Sequence, residues 1–138
     1  MTKPFLSGLI LTLLLFAAIT GCKKDKTSVI NYTVSTMAGS GTYGFADGAG
    51  TNAKFANPTG VAVDASDNIY VADQQNDRIR KVTSAGVVTT LAGSGAYGFA
   101  DNAIGTNAEF HRPTGVAVDA SGNVYVADRY NNRIREIT

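Results

Sequence analysis

Two stretches of this chain repeat each other at an offset of fifty-five residues, and that self-similarity constrains the fold more than any other feature. The block Phe55-Ala56-Asn57-Pro58-Thr59-Gly60-Val61-Ala62-Val63-Asp64 returns as Phe110-His111-Arg112-Pro113-Thr114-Gly115-Val116-Ala117-Val118-Asp119. Asn68-Ile69-Tyr70-Val71-Ala72-Asp73 returns as Asn123-Val124-Tyr125-Val126-Ala127-Asp128, and Arg78-Ile79-Arg80 as Arg133-Ile134-Arg135. Upstream, Ala38-Gly39-Ser40-Gly41-Thr42-Tyr43-Gly44-Phe45-Ala46-Asp47 matches Ala92–Asp101 at an offset of fifty-four, so the second connector is one residue longer.

Each copy is a series of short strands. Gly60–Asp64 and Asn68–Asp73 are apolar runs around the polar turn Ala65-Ser66-Asp67. Arg78–Thr83 follows a polar turn through Gln74–Asp77, and Val87–Ala92 follows Ser84-Ala85-Gly86. The first two strands are almost continuously apolar, which predicts a sheet covered on both faces. The small side chains of Ala62, Ala72, Ala117 and Ala127 permit one sheet to stack closely on the next. Four short antiparallel strands per unit, stacked face to face, is the architecture of a β-propeller blade. The expected fold class is therefore all-β, with two four-stranded blade equivalents over residues 31–138 and repeat units at about 55–92 and 110–138.

The linked blocks Pro-Thr-Gly-Val-Ala-Val-Asp, Asn-Ile-Tyr-Val-Ala-Asp and Asn-x-Arg-Ile-Arg resemble the NHL repeat. That resemblance implies the blade of a six-bladed propeller. Two copies do not close such a ring, which at this period takes about 330 residues. Tyr32–Met37 matches the fourth strand of the complete unit and is expected to be an isolated outer strand. One strand, then four, then three amount to two blade equivalents. Two arrangements satisfy this count. The chain is a fragment of a longer propeller, or it is a homotrimer in which each Tyr32–Met37 strand completes a neighbour's last blade. An isolated pair of blades would leave sheet edges and apolar faces open.

The N-terminal segment is an address. Lys3 precedes the fifteen-residue apolar stretch Phe5–Ile19, which is shorter than a membrane span. Ile19-Thr20-Gly21-Cys22 resembles a bacterial lipobox. The resemblance implies a signal peptide over residues 1–21, lipid on Cys22 and a polar tether over 22–30, placing the protein in the bacterial cell envelope. Cys22 is the single cysteine, so no intrachain disulfide forms. Beyond the signal, eleven Lys and Arg face eleven Asp and Glu, a balance that argues against a nucleic-acid partner.

Candidate functional residues fall in turns and connectors. Asp73, Asn76 and Arg78, repeated as Asp128, Asn131 and Arg133, either line a polar ligand surface or build a turn. In the second reading Asp and Asn satisfy backbone N–H groups while the arginine braces the carboxylate. Recurrence favours a structural role for Asp73, Asn76, Asp128 and Asn131. The connectors Gly39–Gly50 and Gly93–Gly105 are the expected seat of specificity, since long loops on a rigid scaffold carry binding residues. Tyr43, Tyr97, Arg78 and Arg133 are the candidate ligand-binding residues, while Phe45 and Phe99 are expected to tuck into the core between blades. Asp47 and Asp101 read as turn formers. Asp64–Asn68 and Asp119–Asn123 lack the carboxylate count and distal Glu of a calcium loop.

No metal or cofactor is expected. Propeller relatives of lyase type use histidine-held zinc, and this chain has only His111, expected to be a surface or interface residue. Lactonase-type relatives draw their ligands from several blades. No Ser/His/Asp or Cys/His arrangement is supported, and Gly-x-Ser-x-Gly is absent. The expectation is a non-enzymatic binding or scaffold module for a protein or glycan, with a metal-dependent propeller enzyme as the alternative.

Overall fold

A computed structural model describes residues 29–138. Cys22, the signal segment and the tether up to residue 28 lie outside the described residues. Residues 29–33 belong to a separate unit and are exposed, without regular secondary structure. Val34–Thr138 forms one compact unit. Among the described residues no helix is long and apolar enough to cross a membrane.

The compact unit is all-β. Its strands are β1 (Gly48–Ala49), β2 (Pro58–Val63), β3 (Ile69–Asp73), β4 (Arg78–Val82) and β5 (Val87–Ala92), then β6 (Pro113–Val118), β7 (Val124–Asp128) and β8 (Arg133–Ile137). They form two antiparallel sheets, a five-stranded one ordered β1-β5-β4-β3-β2 and a three-stranded one ordered β6-β7-β8. Each sheet is a meander from inner to outer edge, as in a propeller blade.

The turns follow from their side chains. Asp64 Oδ1 accepts from the backbone N–H of Ser66 (2.8 Å) and Asn68 (2.9 Å), and its Oδ2 accepts from Asn68 Nδ2 (2.8 Å). Asp119 repeats this pattern with Ser121 and Asn123. The Asn68 side-chain bond leads the effects that lower the Asp64 carboxyl to about 2, and the corresponding Asn123 bond lowers Asp119. A carboxyl depressed on folding contributes stability that is complete above its unfolded value near 4 and is lost as pH falls towards 2. Carboxyl titration by NMR should therefore find Asp64 at about 2, and Asn68→Ala should move it upward. An unchanged value in that variant would refute the assignment.

Alternate side chains of β3 and β4 point to opposite faces, and each face finds a different cover. On one face Tyr70, Ala72, Ile79 and Ala92 pack against Phe110, Val124 and Val126 of the second repeat, with Val116 and Val118 beside them. This is the core between blades. On the other face Val71, Val82 and Val88 pack against Ala53, Ala38 and Phe55 of the first connector. The connectors are folded back on themselves through isolated bridges, Tyr43 to Phe55 and Ala46 to Lys54 in the first, Tyr97 to Phe110 and Ala100 to Glu109 in the second.

Four expectations are corrected. Tyr32–Met37 is not a strand but exposed chain, and it pairs with none of the described strands. The inner strand β2 is not covered on both faces: Val61 and Val63 are exposed, since no sheet stands in front of them. Phe45 and Phe99 do not enter the core between blades; both are exposed at the rim, where they lie beneath guanidinium groups. Asp47 and Asp101 are ion-pair partners instead of turn formers.

Candidate functional site

Each blade is pinned to its connector by one arginine. Arg80 is fully buried and bonds Asp73 Oδ2 (2.7 Å), Asp47 Oδ1 (2.5 Å) and the carbonyl oxygens of Lys54 (3.1 Å) and Ala46 (2.8 Å). Arg135 makes the same set with Asp128 (3.0 Å), Asp101 (2.6 Å), Glu109 and Ala100. Asp73 also accepts from the Ala56 N–H (2.7 Å) and Asn76 Nδ2 (2.8 Å), while Asn76 reaches the Gly44 carbonyl (2.9 Å). Asp128 and Asn131 repeat those contacts in the second blade. The charged groups are thus paired within the scaffold, as buried ions require, with Arg80 Nε alone among the buried side-chain polar atoms of the described residues lacking a hydrogen-bond partner.

The brace of the carboxylate is therefore Arg80, and Arg135 in the second copy, where Arg78 and Arg133 had been expected. Arg78 lies at the rim, its guanidinium 3.9 Å from the Phe45 ring centroid, and donates to the Ser94 carbonyl (2.6 Å) in the next connector. Arg133 lies 3.8 Å from the Phe99 ring centroid and is exposed.

The two copies differ at several scattered positions, Lys54/Glu109, Asp67/Gly122 and Lys81/Glu136 among them, and at five that fall together. Ala56 is replaced by His111, Asn57 by Arg112, Gln74 by Arg129, Gln75 by Tyr130 and Asp77 by Asn132. All five positions lie where the β1–β2 connector meets the β3–β4 turn, or its counterpart in the second blade, at one rim. In the second blade they build an aromatic row, with the His111 ring 5.6 Å from that of Tyr97 and 5.0 Å from that of Tyr130. The Arg129 guanidinium stands 5.3 Å from the Tyr130 ring centroid. Beside the row is a cleft of about 470 Å³ lined by Gln75, Asp77, Gly95, Tyr97, His111 and Arg112.

Arg112 holds a left-handed backbone (φ 53°) directly before Pro113, and its N–H donates to Asp77 Oδ1 (2.7 Å). Its counterpart Asn57, directly before Pro58, has the same φ of 53°, so this conformation belongs to the repeat. Tyr43 occupies the equivalent place in the first blade, where its hydroxyl donates to Gln75 Oε1 (2.6 Å). Tyr97 is thus brought into an aromatic cluster, whereas Tyr43 meets an amide. His111 and Tyr130 were missed as binding candidates, and the signal that finds them is divergence between copies in an otherwise repeated block. Among the described residues, no group of three or more His, Cys, Asp or Glu is placed to hold a metal ion.

A four-stranded meander, β2 to β5, stacked on the three-stranded β6-β7-β8, each with an arginine-pinned connector, defines a protein of β-propeller blades. The NHL repeat model matches residues 110–137, and the Teneurin NHL domain model matches residues 38–100. The chain belongs to the NHL-repeat family. It is 38% identical over 96 residues to human NHL repeat-containing protein 2, a match covering 67% of this chain and 13% of that protein. An auxiliary nutrient binding protein from Bacteroides thetaiotaomicron superposes with a TM-score of 0.65 at 31% identity, over 74% of this chain and 28% of that one. One of the same description from Bacteroides ovatus gives 0.62 at 30% identity, over 70% and 26%. The chain thus spans about an eighth of the human relative and about a quarter of these solved structures.

Proposed function

We propose that this chain is an envelope-anchored NHL-repeat binding module whose ligand, a glycan or a protein segment, lies across the Tyr97–His111–Tyr130 rim. One observation carries the reading. The copies share the pinning residues Asp73, Asn76 and Arg80 with Asp128, Asn131 and Arg135, and five of their differences cluster at one rim, where the second copy assembles aromatic rings beside Gln75, Asp77 and Arg112. Flat aromatic area flanked by planar hydrogen-bonding groups suits a sugar ring, which offers an apolar face and a polar edge. The nutrient-binding description of two structural neighbours is consistent with that ligand class. The reading is non-catalytic, and it places the protein at the membrane through lipid on Cys22.

The test is an oligosaccharide array probed with the full chain in detergent, followed by titration of the best glycan. His111→Ala combined with Tyr130→Gln installs residue types that the first copy already carries at these positions. The variant should keep its melting temperature and lose at least about tenfold in affinity, or about 1.4 kcal/mol. Undiminished glycan binding by the variant would remove the rim as the site. Stoichiometric zinc or calcium in the purified protein would instead favour a metal-dependent enzyme.

A further inference from the structure

The cleft beside the aromatic row lies between blades, and both of its walls are among the described residues. Gln75 and Asp77 come from the β3–β4 turn of the first blade, and Gly95, Tyr97, His111 and Arg112 from the β5–β6 connector of the second. Its volume of about 470 Å³ suits a small ligand or one unit of a larger one.

The polar groups of this cleft are not all spent on the scaffold. The ion pairs among the described residues use Arg80 and Arg135, and none includes Arg112. Arg112 is tied down through its backbone, whose N–H donates to Asp77 Oδ1 (2.7 Å), while its guanidinium has no hydrogen-bond partner among the described residues. Asp77 Oδ2 accepts no hydrogen bond there either. Arg80 Nε is the one buried side-chain polar atom without a partner among the described residues, so Asp77 Oδ2 reaches solvent. Gln75 Oε1 takes the Tyr43 hydroxyl (2.6 Å), which leaves the amide nitrogen as a donor.

The first blade shows what Arg112 replaces. There Asn57 Nδ2 donates to Gln74 Oε1 (2.7 Å), a neutral bond within the blade. The second blade has Arg112 and Arg129 at those positions, two cations that carry donors only and cannot bond each other. Where the first blade holds a structural bond, the second holds positive charge. Arg78 adds to it, since its guanidinium stands beside Gly95 on the wall of the cleft. Asp77 is the carboxylate of the lining; Glu109, whose carboxylate lies beside Gly98, is not among the lining residues.

A cleft with excess positive charge, one open carboxylate oxygen and a tyrosine ring fits a ligand that joins an anion to hydroxyl groups on one ring. An acidic peptide supplies the anion but no hydroxylated ring to lie on Tyr97 and meet Asp77. Building on the rim as the ligand site, we propose that the cleft takes a uronic acid residue of an oligosaccharide. Its carboxylate pairs with the Arg112 guanidinium, which can grip both oxygens at once. Its hydroxyl groups donate to Asp77, and its ring lies against Tyr97.

The test titrates the full chain in detergent with tetrasaccharides of galacturonate, glucuronate and mannuronate, and with the same sugars after their carboxyl groups are reduced to alcohols. The best acidic form should bind at least about tenfold more tightly than its reduced form. That preference should shrink as salt is raised, because the contact is between charges. Arg112→Asn installs the residue that the first blade carries at the same left-handed φ, so the melting temperature should hold. In this variant the acidic and reduced forms should bind about equally. Tyr97→Ala should weaken both forms alike. Equal binding of the two forms by the unmodified chain, or an acid preference that survives Arg112→Asn, would overturn the uronate assignment and leave the rim as a neutral-glycan site. Tighter binding of a tetraglutamate peptide than of any uronate would overturn it in favour of a protein segment. Failure to bind any glycan would remove both the assignment and the glycan reading of the rim.

Discussion

Replacing Arg80 by Met is expected to destabilise the fold by about 3–5 kcal/mol, the cost of stranding a buried charge. Arg80 and Asp73 are both fully buried, so without the guanidinium the Asp73 carboxylate keeps only the Ala56 N–H and Asn76 as partners. The carbonyl oxygens of Lys54 and Ala46 lose the guanidinium and keep only each other's N–H donors, which loosens the first connector on the sheet. Arg135→Met should cost less. Its outer partner Asp101 is 77% exposed at the side chain and can return to water. Adding Asp73→Asn to Arg80→Met should recover part of the loss by removing the stranded charge. Urea unfolding followed by circular dichroism measures all three, and equal losses for Arg80→Met and Arg135→Met would contradict this account.

Gly60→Ala is expected to disrupt the junction of the two sheets and to cost at least about 1–3 kcal/mol, the range for overpacking a close contact. Its backbone is not left-handed, so the demand for glycine comes from space alone. A Cβ there would collide with the Thr114 carbonyl oxygen and press on Gly115 Cα, and neither backbone atom can swing away as a side-chain tip would. Thr59 stands beside it, its hydroxyl donating to the same carbonyl (3.0 Å), so the inner strands β2 and β6 are held in direct register across the blades. Thr59→Val should lose only that bond, about 0.5–1.5 kcal/mol. Hydrogen exchange at Tyr70 and Val126 would locate the damage in the core between the blades. Wild-type protection in Gly60→Ala would show that the strands can separate at no cost.

The strand pattern was legible because its determinants are local. The expected strands at Gly60–Asp64, Asn68–Asp73, Arg78–Thr83 and Val87–Ala92 lie within two residues of those observed. Their limits are set by turn-forming residues that act over four positions, such as Asp64 on Asn68. Repetition added the stacking of blades, since a unit that recurs must present compatible front and back faces.

The arginine that pins each blade was not legible, and the reason is geometric. Arg78 and Arg80 lie on the same face of β4 as Asp73, so the alternation of side chains leaves both eligible to brace the carboxylate. Docking of the connector decides between them. It brings Asp47, thirty-three residues away, over Arg80, and it slides the Phe45 ring beneath Arg78. Tyr97, His111 and Tyr130 likewise come from a connector, a strand approach and a turn, and only the folding of all three puts the rings in one row. Tyr32–Met37 makes the same point in reverse. Its alternation suits a strand, yet strand structure requires a paired neighbour, and this segment pairs with none of the described strands. Short-range chemistry along the chain thus settled the blades and their turns. Ion-pair partners, ring clusters and edge pairing depend on groups distant in sequence, so they were settled only when the connectors docked and the sheets stacked.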